Sequence, residues 1–191
     1  MQSKFFTFIR PYLAYLDSGD FYRKPFGWLY FLIAVLNLNF PIYILLQAID
    51  SDLFDLPAKS VAVLMLVWLI ILFAGWVSFQ IWWDRRSKVV ATSVEGADFV
   101  ATPAYCHFIQ TLGEWLGTWI GIVGFLVALL VRLLLESEEG ELLNEVIPVA
   151  NMALLQIFLM PVVGFLIIVS TKFIAEQSAA LAVIANNTRK G

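Results

Sequence analysis

Long apolar runs dominate this chain, and short polar stretches separate them. The runs cover residues 26–49, 61–83 and 113–135, and a fourth starts at 146 and continues well beyond one membrane thickness. A helix crosses the hydrocarbon of a bilayer with about 20 predominantly apolar residues. The pattern therefore predicts an all-α, integral membrane four-helix protein. Residues 1–25 form an N-terminal interfacial segment and 26–88 a first helical hairpin. Residues 89–111 form a linker, and 112–191 a second hairpin whose last helix extends into the cytosol.

The first 25 residues place Phe5, Phe6, Phe8, Ile9, Tyr12, Leu13 and Leu16 at helical spacing, with Lys4 and Arg10 among them. That is the pattern of an amphipathic helix lying in the interface, bent at Pro11 and stopped near Ser18 and Gly19. No signal peptide fits, because a bounded apolar region and a small-residue cleavage site are both missing. Helix one carries Asn37, Asn39 and Pro41. Pro41 cannot donate to the Asn37 carbonyl, so a kink with polar neighbours is expected. The two Asn side chains either bond across to other helices or line a cavity. Asp50, Asp52 and Asp55 then share a loop without the spacing of a calcium-binding hand. Helix two ends in Trp82 and Trp83, followed by Asp84, Arg85, Arg86 and Lys88, an aromatic anchor before a basic stop.

Helix three organises the prediction. Gly113, Gly117 and Gly121 recur every four residues, and Gly124 follows three later. Residues three and four apart share a helix face, so the glycines form a stripe without side chains. A neighbouring backbone can approach closely there, as in small-xxx-small packing between membrane helices. Beyond helix three, Glu136, Glu138, Glu139, Glu141 and Glu145 surround Gly140 in an acidic loop. Helix four holds Asn151 and Gln156 as polar intramembrane positions, a kink at Pro161, and a helical tail after Lys172.

Composition narrows the class. The chain has 191 residues, 61% of them hydrophobic and 14% charged, against about 45–50% and 25% in a soluble domain. Cys106 is the single cysteine, which excludes an internal disulfide or a multi-cysteine metal site. His107 is the single histidine and reads as an interfacial polar residue. With both termini on one side, ten of the twelve basic residues fall there, and only Lys59 and Arg132 fall opposite. The positive-inside rule then places both termini in the cytoplasm. Arg85, Arg86, Glu114, Lys172 and Glu176 are candidates for a cytoplasmic charge cluster.

Pro161, Lys172, Glu176, Ile184, Asn187 and Thr188 carry a family resemblance, together with the Thr102-Pro103 pair. Residues 99–190 resemble a small bacterial membrane family with two helices and no assigned activity. The resemblance implies an inner-membrane protein. Lys172 stands where that family more often has Arg, and the first half of this chain is additional. The order of a Pro-containing lead, two helices and a basic stop occurs in both halves, as a diverged second copy would have it.

No Walker loop, GxSxG or HExxH is present. The chain reads as a non-enzymatic structural or interaction subunit without cofactor or metal, whose surroundings are the lipid bilayer and a homo-oligomer or membrane complex. No nucleic-acid partner is expected. The alternative is an oligomeric channel or transporter with a pore lined by polar helix faces.

Overall fold

The computed structural model describes residues 9–17, 20–91, 101–150 and 152–188. All regular elements among them are helical. Helix α1 spans Arg10–Asp17, α2 Asp20–Asp50 and α3 Ala58–Ala91. Helix α4 spans Ala101–Thr118, widens into a π turn over Trp119–Gly124, and resumes as α5, Phe125–Leu134. Helix α6 spans Ser137–Val146 and α7 Leu154–Thr188. Four helical stretches are long and apolar enough to cross a membrane: Lys24–Asp50, Ala58–Ala91, Ala101–Leu134 and Leu154–Ala185.

Several boundaries differ from the sequence reading, each for a local reason. Pro11 lies in the first turn of α1, where a missing N–H breaks no helical bond, so it starts a helix instead of bending one. Residues 1–8, Ser18 and Gly19 lie outside the described residues. Helix α3 continues past Trp83 through the charged stretch to Ala91, since a charged residue at the interface ends a span without ending a helix. Part of the expected linker is helical, because α4 already begins at Ala101. The acidic loop contains α6, whose Glu139 carboxylate accepts the Glu136 backbone N–H at 3.3 Å, half of a capping box. Helix α7 starts at Leu154, later than Val146.

The spans form two antiparallel pairs. Helix α2 packs most extensively on α3, and α4 on α7. In each pair a proline on one helix faces a glycine on the other. Pro41 leaves the Asn37 carbonyl without its helical donor, and a Cβ on Gly75 of α3 would stand 2.7 Å from that oxygen. Trp68 Nε1 donates to the Pro41 carbonyl at 2.9 Å. Pro161 likewise interrupts α7, and a Cβ on Gly121 would meet the Pro161 Cα at 3.5 Å. Gly121 belongs to the π turn, so the irregular turn of one helix lies level with the proline of the other.

Two apolar clusters join the pairs. Near one end, Ile44, Val63, Leu64 and Val67 meet Val127, Val131, Leu143 and Ile147. Helix α6 closes this end as a short cap, with Leu143 fully buried. Near the other end, Tyr30, Ala34, Trp82 and Val89 gather Phe108 and Trp115 around them.

Candidate functional site

The joint between the pairs is where polar side chains converge. Apolar spans have few polar groups, and those groups cost least when they meet one another. At one end, Arg85 Nη2 lies 2.5 Å from Glu114 Oε2, with the two side chains 26% and 27% exposed. Gln110 Nε2 donates to the other Glu114 oxygen at 2.8 Å. Tyr30, fully buried, donates to Thr111 Oγ1 at 3.2 Å and stands 3.1 Å from His107 Nδ1. Thr111 donates its own proton to the His107 carbonyl at 2.8 Å. Thr111 Oγ1 also lies 3.4 Å from His107 Nδ1, so which group donates to which in this trio is set by the imidazole tautomer.

Further along the joint, Trp115 Nε1 donates to Asn37 Oδ1 at 2.9 Å, and Trp119 Nε1 to Ser78 Oγ at 2.8 Å. At the far end, Ser60 donates to Glu139 Oε1 at 2.7 Å. The contacts of Arg85, Tyr30, Asn37, Ser78 and Ser60 form a ladder along the joint, each linking α2 or α3 to the second half. The Ser60 hydroxyl holds the Glu139 carboxyl below its usual range, aided by the Glu136 N–H and the nearby Lys59 charge. Trp82 Nε1 is buried with no hydrogen-bond acceptor among the described residues. Its ring lies 4.9 Å from that of Tyr30, 6.1 Å from Phe108 and 6.2 Å from Trp115.

Between the two apolar clusters the joint opens sideways into a cleft of about 420 Å³. Ile33, Leu36, Asn37, Phe40, Leu112, Trp115 and Trp119 line it. The Asn37 amide already donates to the Ile33 carbonyl at 2.8 Å and accepts from Trp115, so the walls present almost no free polar surface.

The other residues singled out by sequence fall in different places. Gly113, Gly117, Gly121 and Gly124 all face α7: a Cβ on Gly113 would overlap Thr171, and one on Gly117 would stand 2.5 Å from the Gly164 carbonyl. A Cβ on Gly124 would meet Met160 Cε at 2.6 Å. Asn39 is exposed and donates back to the Val35 carbonyl at 2.8 Å. Gln156 is exposed and accepts the Ala153 N–H at 3.1 Å, near the start of α7. Asn151 lies outside the described residues. Of the charged set, only Arg85 and Glu114 are brought together. Arg86 stacks on aromatic rings, and Lys172 and Glu176 are exposed on α7. Tyr30, Ser78, Thr111, Trp115 and Ser60 were not among the expected site residues. Among the described residues no three His, Cys, Asp or Glu gather as metal ligands do.

No family model, curated protein or solved structure matches the chain.

Proposed function

We propose that this chain is a non-enzymatic interaction subunit of the bacterial inner membrane, with both termini cytoplasmic. The observation that carries the reading is the outer face of α7. This helix has 35 residues, about 52 Å at 1.5 Å per residue, against a hydrocarbon thickness of about 30 Å. Lys172 follows Thr171, which abuts Gly113, so it stands level with the Arg85–Glu114 pair. Past that level Leu181, Val183 and Ile184 are still 66%, 59% and 61% exposed, and with Lys172 at the interface the acyl chains would end before them. Apolar side chains at that height mark an interaction surface.

The test is photo-cross-linking in native membranes with a benzoylphenylalanine at position 181 or at position 133, an exposed leucine elsewhere. Position 181 should give protein adducts, with a second copy or with another membrane subunit, and position 133 lipid adducts. Lipid adducts alone at position 181 would sink the reading. A channel or transporter is the second reading, and the ladder beside a mid-span cleft favours it, because transporter sites lie where two halves meet near the midplane. Ion or solute flux into proteoliposomes containing the purified chain would decide for it.

A further inference from the structure

The basic stretch at the end of α3 is not uniformly neutralised. Glu114 pairs with Arg85, and Asp84 pairs with Lys88 at 2.6 Å. Arg86 between them has no carboxylate within ion-pair distance among the described residues. Its guanidinium lies 5.5 Å from the Phe31 ring centroid, 5.8 Å from Trp83 and 6.0 Å from Trp28. The rings also touch one another: Trp28 meets Phe31 at 5.9 Å, and Phe31 meets Trp83 at 5.9 Å. Such a setting fixes a planar cation in place and leaves its N–H donors unused.

The height and the surroundings then select the ligand. Trp28 and Trp83 are exposed and stand at the end of the span, where aromatic residues meet lipid headgroups. An apolar groove of about 500 Å³ begins beside the cation, lined by Pro25, Trp28, Leu29, Phe31 and Leu32. Trp28 and Phe31 belong to both the groove and the Arg86 cage. We propose that Arg86 and this groove bind an anionic phospholipid, its phosphate on the guanidinium and one acyl chain along α2. Arg matches phosphate oxygens with paired donors. A choline headgroup would bring a second cation to a place without a carboxylate, so an anionic headgroup is preferred.

The experiment uses the full chain in detergent, titrated with phosphatidylglycerol or phosphatidylcholine, with retained lipid read by native mass spectrometry. Both lipids bring a phosphate to Arg86, but the choline cation offsets that attraction, so phosphatidylglycerol should bind about tenfold more tightly, the size of one charged contact. Arg86→Gln should abolish that preference, and Lys88→Gln, which changes an already paired cation, should keep it. Leu32→Trp leaves Arg86 in place but fills the groove, and should weaken both lipids, which keeps the proposal testable if Arg86→Gln folds poorly. Free glycerol phosphate should not displace the bound lipid. Equal binding of the two lipids, a preference that survives Arg86→Gln, undiminished binding by Leu32→Trp, or displacement by glycerol phosphate would each overturn the proposal.

Discussion

At the joint between α4 and α7, a Cβ added to Gly117 would stand 2.5 Å from a backbone oxygen of the facing helix. At the joint between the two pairs, the close approaches are made by the ends of long side chains, such as Trp115 and Asn37 at 2.9 Å. The first joint gets its stability from backbone proximity, which lets many weak dispersion contacts accumulate. The second combines two apolar clusters, one near each end, with a few hydrogen bonds between rings and polar tips. Lipid tails compete with neither kind of contact by hydrophobic force, so the difference lies in what separation would cost. Separated backbones lose their contacts outright, whereas a freed hydroxyl can bond back to a carbonyl of its own helix, as Thr111 and Thr171 do. The α4–α7 pair is therefore expected to resist separation more than the joint between the pairs does.

The largest test of that contrast is Gly117→Leu. Its Cβ would stand 2.5 Å from both the Gly164 carbonyl and Ile168 Cγ1; the Ile168 side chain can turn aside, but the backbone oxygen moves only with α7. Overpacking of this kind costs about 3 kcal/mol, seen as a lower denaturation midpoint in lipid or detergent. Leu129→Ala, on another face, should cost much less. An unchanged midpoint in Gly117→Leu would mean that the α4–α7 backbones are not held together by this stripe.

Glu114→Gln comes next, because it leaves a partly exposed Arg85 without its carboxylate. Solvent reaches both side chains, so the loss should be about 1 kcal/mol, at the upper end for exposed pairs and well below a buried one. Arg85→Gln should give a similar loss, and the double variant should be hardly worse than either. Additive losses would show that the two residues act separately.

A single rung inside the span should matter less again. Ser78→Ala removes the acceptor of Trp119 Nε1, and interhelical hydrogen bonds in membranes average about 0.6 kcal/mol. A loss as large as that of Gly117→Leu would erase the distinction between the joints.

The sequence made the glycine side of the α4–α7 joint visible without naming the helix opposite, and left most of the other joint hidden. Glycines at spacings of four leave a periodic mark, so the stripe stands out on one helix alone. Their counterpart Gly164 stands three residues after Pro161 and has no repeat around it to draw attention. A rung of the ladder is a pair such as Tyr30 with His107 or Ser78 with Trp119, and each partner alone is an ordinary interfacial aromatic or small residue. Their meaning depends on which helices are neighbours, and periodicity does not report that. The Asn37–Trp115 bond was half legible, since an Asn within a span needs a partner, but the sequence did not identify it. The short helix α6 was masked by its acidic composition. Its apolar residues Leu143 and Val146 are only three apart, too brief a pattern to separate from a loop. The π turn is also invisible from periodicity, because it widens the helix by a single turn beside Pro161.

The smallest effect is expected at the Ser60 end, and it depends on pH. Glu139 accepts from the Ser60 hydroxyl and the Glu136 N–H, and Lys59 adds a favourable charge. All three favour the carboxylate, so the folded protein holds this group below its ordinary range. A carboxyl depressed in the folded state contributes stability that is complete above its unfolded pKa, about 4.3. That contribution disappears as the pH falls through the lower, folded value. Stability should therefore show no dependence on Glu139 near neutral pH and should fall on acidification below the ordinary carboxylate range. Ser60→Ala removes the leading cause of the shift, so it should flatten this part of the pH profile. The α4–α7 joint should hold in the same acid, because its closest contacts are made by glycines, Thr171, Ile168 and Met160, none of which titrates. Hydrogen exchange followed separately in α6 and in α4 reads the two joints in one experiment. Equal acid sensitivity in Ser60→Ala and the parent chain would remove Glu139 as the cause. Exchange rising together in both helices would show that the pairs open as one unit and not at the joint between them.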